Sequence, residues 1–81
     1  MRTDVMGIPL EIGSRVIPAN SMYNFTKFRE RKIYWIIASW TPKMVRLEST
    51  DPKAMVDKKT IYANELLNID VYFREYPELM L

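Results

Sequence analysis

The chain has no cysteine and no histidine. The first absence excludes disulfide staples and cysteine nucleophiles, the second excludes a histidine general base, and together they remove the usual ligands of a zinc site. Glycine occurs only at Gly7 and Gly13, so there is no glycine-rich phosphate loop. No apolar run approaches the roughly 20 residues of a membrane-spanning helix, and residues 1–7 lack the continuous apolar stretch of a secretory signal. A cytoplasmic protein without membrane contact is the expectation. Ser14, Ser21, Ser39 and Ser49 have no base to activate them, and Glu48, Asp51 and Asp57 surround a loop that would not fix their separation. A non-enzymatic chain without a cofactor or a metal follows from these exclusions.

What the chain does have is a long apolar run. With 81 residues it holds a single domain, residues 1–81, near the lower end of what one hydrophobic core supports. The core is expected to centre on residues 30–40, where Ile33, Tyr34, Trp35, Ile36, Ile37 and Trp40 combine β-branched and aromatic side chains. Read as a strand, this run places Ile33, Trp35 and Ile37 on one face and Tyr34, Ile36, Ala38 and Trp40 on the other. One apolar face belongs to the core, and the other must be covered or used.

Five strands are expected along the chain. Gly7 to Gly13 reads as an extended lead-in ending in a tight turn, followed by a first strand over residues 14–17 that Pro18 ends or places at a sheet edge. Residues 19–28 carry Asn20, Ser21 and Asn24 as turn formers and are read as a loop rich in aromatics. Those aromatics either plug one end of the core or form a contact surface. Thr41-Pro42 breaks the central strand, and residues 43–48 alternate with Val45 and Leu47 inward, so a hairpin is predicted. Residues 49–59 read as the longest loop, 60–62 as a short strand and 63–67 as a 3-10 turn. Ile69, Val71 and Phe73 alternate with polar neighbours in a last strand, a helix over 60–68 being the competing reading. Residues 75–81 form an irregular, acidic then apolar tail.

This order resembles the Src-homology-3-like (SH3-like) β-barrel over residues 10–74. The stretch 61–69, Ile-Tyr-Ala-Asn-Glu-Leu-Leu-Asn-Ile, resembles the strand, 3-10 turn and strand that close such barrels. Residues 11–16, Glu-Ile-Gly-Ser-Arg-Val, are similar to the entry into the first strand of nucleic-acid-binding members. The resemblance implies a mainly β fold, a small five-stranded SH3-like barrel with one 3-10 turn, without pointing to a specific family. Peptide-binding members carry an acidic aromatic loop and a tryptophan doublet; here the loop is neutral to basic and Trp40 stands alone before Thr41-Pro42. A proline-rich peptide is therefore not the expected ligand.

Charge supplies the functional expectation. The net charge is only +2, yet residues 27–59 hold nine Lys/Arg against four Asp/Glu, whereas residues 60–81 hold one against four. Lys27, Arg29, Arg31, Lys32, Lys43 and Arg46 lie near Tyr23, Phe25, Phe28, Tyr34 and Trp40 in sequence. Cations that neutralise phosphates beside rings that stack bases suit DNA or RNA. The same residue types suit a protein partner, as in a small inhibitor or accessory factor. A homodimer, formed through the outer face of the central strand and Leu79-Met80-Leu81, is the third possibility.

Overall fold

The structure, a computed structural model, describes residues 2–77. Thr41 and Pro42 turn the chain between two strand-forming stretches, β2 (Trp35–Trp40) and β3 (Val45–Ser49). The turn is closed by the Thr41 N–H donating to the Met44 carbonyl at 2.9 Å, while Thr41 Oγ1 accepts from the Met44 N–H at 2.7 Å. Around this hairpin the sheet is completed by β1 (Arg15–Pro18), β4 (Lys58–Ile61) and β5 (Leu66–Asn68), all antiparallel, in the order β4-β3-β2-β1-β5. The 3-10 turn occupies Ala63–Glu65.

The mainly β reading, its five strands and its 3-10 turn are thus present, and their order is compatible with the SH3-like resemblance. Closure into a barrel is not: β4 and β5 end the order, and no ladder joins them among the described residues. Four local expectations also need correction.

Residues 19–28 are not a loop but lead into helix α1 (Met22–Arg31). Ser21 is its N-cap, with Oγ accepting from the Tyr23 N–H at 3.2 Å, so one of the unpaired donors of the first turn is satisfied. Phe25 and Phe28, three apart, then fall on the face turned to the sheet. The helix ends at Lys32, whose φ of 57° is left-handed and whose N–H reaches the Phe28 carbonyl at 2.9 Å. The central strand therefore starts at Trp35, because Glu30 and Arg31 belong to the last turn of α1.

The strand expected from Ile69 to Phe73 is a helix instead, and the last strand, β5, lies before it at Leu66–Asn68. Asn68 Oδ1 accepts from the Val71 N–H at 3.3 Å and caps a second helix, α2 (Ile69–Glu75). Ile69 and Phe73, four apart, are both buried, which is one helical face. The fourth strand, conversely, begins two residues early, at Lys58.

The fourth correction lies within β2. Its pairing with β3 shifts between Ile37, opposite Leu47, and Ser39, opposite Arg46, so Ala38 is an extra residue. Such a bulge inverts the alternation beyond it. Trp40, opposite Val45, consequently returns to the face of Trp35 and Ile37 instead of joining Tyr34.

Two apolar clusters result, one on each face of the sheet. The first contains Val16, Ile37, Val45, Leu47, Ile61 and Leu66 with Leu10 of the N-terminal segment, and Trp35 and Trp40 pack against it. The second contains Ile17, Leu67, Phe28, Ile69 and Phe73, with Phe25 and Tyr34 beside them. Adjacent residues of one strand, Val16 and Ile17 or Leu66 and Leu67, feed opposite clusters, as the two-residue period requires.

The N-terminal segment is tied to both ends of the sheet. Asp4, itself buried, accepts from the N–H groups of Met6 (2.9 Å), Ile8 (2.8 Å) and Asn68 (2.7 Å), while the Val5 N–H donates to Leu66 along the outer edge of β5. Arg2 donates to the carbonyls of Thr41 and Met44, and its guanidinium lies 4.9 Å from the Trp40 ring centre. Gly13, at φ 91°, supplies the turn into β1 and donates to the Ile37 carbonyl.

Candidate nucleic-acid or partner interface

Directly opposite residues of antiparallel strands share a face, so the ladders sort the charged side chains by side. Arg15, Ile36, Glu48 and Lys58 form one cross-strand row, and Ser39, Arg46 and Thr60 another. Both rows lie on the face that carries α1 and α2. The helices pack over the β1 end, leaving Arg46, Glu48, Lys58 and Thr60 exposed on the β3-β4 end. Lys59, opposite Leu47, belongs to the other face, where its amine lies 6.0 Å from the Trp35 ring centre.

The uncovered end is a shallow depression of about 410 Å³ whose lining includes Ser39, Arg46, Glu48, Lys58 and Thr60. A second hollow, about 250 Å³ and more apolar, lies between the helices and is lined by Met22, Phe25, Arg29, Tyr72 and Phe73.

The residues expected to make a binding site are not gathered in one patch. Tyr23, Lys27, Arg29, Arg31 and Lys32 come together because all belong to α1 or its cap. Tyr23 is exposed, and the Lys27 amine lies 5.8 Å from its ring centre. Phe25 and Tyr34 pack against the second apolar cluster, Tyr34 meeting Phe28 edge-on at 6.3 Å between centroids. Phe28 is buried and stacks on Phe73 at 5.3 Å. Trp40 lies on the opposite face, and Lys43 sits in the β2-β3 turn beyond it. Arg46 joins the α1 cations only in being on their side of the sheet. The grouping of Trp40 with Tyr34 is thereby corrected, and the bulge at Ala38 is the reason.

Ion pairing neutralises few of these cations. Lys27 faces Asp51 at 3.7 Å, which links α1 to the loop before β4. Arg15 makes a two-point contact with Asp70, at 2.5 and 3.0 Å, that joins β1 to α2. That contact, followed by a hydrogen bond involving Tyr34, raises the Arg15 pKa above its usual value. Arg31, Lys32, Arg46 and Lys58 have no carboxylate within ion-pair distance among the described residues.

Lys58 and Thr60 escaped the sequence reading as site residues. Residues 49–59 looked like loop because Asp51-Pro52 and four charged side chains dominate them. The signal was the alternation of β3, whose four pairs run back to Glu48 opposite Lys58. No group of three or more acidic side chains able to hold a metal ion is found among the described residues, and none of their helices is long and apolar enough to cross a membrane. Comparison with protein-family models, with curated proteins and with solved structures gives no match.

Proposed function

We propose that the chain is a non-enzymatic binding module of SH3-like type that engages nucleic acid through the helix-bearing side of its sheet. One observation carries this reading: α1, with Lys27, Arg31 and Lys32, and the uncovered strands, with Arg46 and Lys58, present their cations on the same side. Four of these five cations have no carboxylate partner among the described residues. Unneutralised cations sharing one surface attract a polyanion and release its condensed counterions on binding. Opposing charges lie within the same surface: Glu48 stands directly across from Lys58, Asp51 faces Lys27, and Glu30 is exposed on α1.

Titration of a labelled oligonucleotide at low salt tests the proposal. Binding that weakens as salt rises is expected. Arg46→Glu combined with Lys58→Glu, both on exposed strand positions, is expected to lower affinity at least about tenfold while leaving the circular dichroism unchanged. Absence of binding to DNA and RNA at low salt would overturn the reading. A stoichiometric protein partner retained through nuclease treatment, without such binding, would replace it with a protein-interaction role.

A further inference from the structure

Resting on the nucleic-acid reading above, we infer that the ligand of the helix-bearing side is a duplex held by its phosphates, not a single strand held by base stacking. The fold has committed most of the candidate rings that a single strand would need. Phe28 is buried against Phe73, Phe25 and Tyr34 pack on the second apolar cluster, and Trp40 faces the other side of the sheet beneath the Arg2 guanidinium. The exposed rings among the described residues are Tyr23 on α1, Tyr62 after β4 and Tyr76 at the end of α2, at 66%, 51% and 45%, each on a different element. Single-strand binders stack successive bases on successive aromatic platforms along a basic groove, and three exposed rings on three separate elements form no element-long track of that kind.

Charge and hydroxyl are spread more widely over this side than the rings are. Arg31 and Lys32 sit at the C-terminal end of α1, Arg46 and Lys58 lie on the uncovered strands, and Ser39 and Thr60 line the depression between those strands. These groups donate to phosphate oxygens without reading bases, which is how proteins position themselves on a duplex backbone. The longest dimension of the molecule, 36 Å, matches about one turn of B-form DNA, roughly 34–36 Å, so one copy covers no more than about a turn.

The test uses the full chain with labelled duplexes of about 20 base pairs, in DNA and RNA form and in two unrelated sequences, beside the matching single strands. At low salt a duplex is expected to bind at least about fivefold tighter than either of its strands, with little difference between sequences. The logarithm of affinity against the logarithm of salt is expected to fall with a slope of about −4, for four phosphates neutralised. Arg46→Glu with Lys58→Glu is expected to reduce that slope by about 2, whereas Tyr23→Ala changes duplex affinity less than about twofold. A single strand bound as tightly as the duplex, or a loss above about fivefold on Tyr23→Ala, would overturn the inference and leave nucleic-acid binding standing. No binding to any of these probes would overturn both. Circular dichroism of each variant separates a lost contact from a lost fold.

Discussion

On one face of the sheet, Val16, Ile37, Val45, Leu47, Ile61 and Leu66 reach one another across neighbouring strands; on the other, Ile17 and Leu67 must be met by Phe28 from α1 and by Ile69 and Phe73 from α2. The first cluster is made by the sheet itself, because a two-residue period and the β2-β3 turn suffice to bring its members together. The second exists only if two short helices form, and at ten and seven residues neither is long enough to be stable in isolation. Helix and cluster on that face are therefore mutually dependent.

Removing a member of each cluster tests that dependence, and these substitutions have the largest expected effects. Phe28→Ala is expected to cost about 3–5 kcal/mol and Leu47→Ala about 2–5 kcal/mol in urea unfolding. Either is a large part of the roughly 4–12 kcal/mol typical of a domain this long. The comparison would break if amide exchange of Phe28→Ala showed α1 lost while β2 and β3 kept full protection, since the faces would then be independent units.

Asp4 joins the N-terminal segment to the edge of β5 beside both clusters, so it sharpens the comparison differently. Asp4→Ala strands the N–H groups of Met6, Ile8 and Asn68 and is expected to cost about 2–4 kcal/mol by urea titration. A cost near zero would show that water replaces the carboxylate. The caps of the second face come next: Ser21→Ala and Asn68→Ala are each expected to lower stability by about 1 kcal/mol, seen as a fall in the urea midpoint. In the other direction, Lys32→Gly relieves the left-handed residue after α1 and is expected to stabilise by about 1 kcal/mol.

The smallest effect belongs to the Arg15–Asp70 pair, half-exposed on one partner and about a third on the other. Asp70→Asn is expected to cost less than about 1 kcal/mol, and less still at high salt. Because folding raises the Arg15 pKa, its contribution is complete below the unfolded value and declines only as pH rises through the folded one, both at strongly alkaline pH. Titration of Arg15 therefore predicts no change in the effect of Asp70→Asn between about pH 6 and 9, as chemical denaturation at several pH values would check.

The first face was largely legible in the sequence. Val45 and Leu47 alternate with Arg46 and Glu48, Thr41-Pro42 marks the turn, and Ala63–Glu65 is the expected 3-10 turn. The second was misread for identifiable reasons. Ile69, Val71 and Phe73 satisfy a two-residue period, yet Ile69 and Phe73 are equally an i, i+4 helical pair, and Asn68 as an N-cap decides between them. Around α1 the aromatics and turn formers suggested a loop, although Ser21 followed by an unbroken stretch free of glycine and proline to Arg31 is also a helix signal. The candidate residues on α1 were recognised by type, while Lys58 and Thr60 were hidden because the start of β4 is set by its pairing with β3.

The run of residues 30–40 summarises the division. The sequence by itself determined that the face of Ile33, Trp35 and Ile37 is apolar and that the chain turns after Trp40; Trp35 and Ile37 do share the first cluster, whereas Ile33 lies before β2 and outside it. Only tertiary structure decided that Glu30 and Arg31 finish a helix and that Ala38 is bulged. It likewise decided that Trp40 joins the face of Ile37 while Tyr34 packs under α1. The physical reason is that a bulge or a helix end is fixed by which partners are available across the ladder and over the sheet, and residues far apart in the sequence supply those partners.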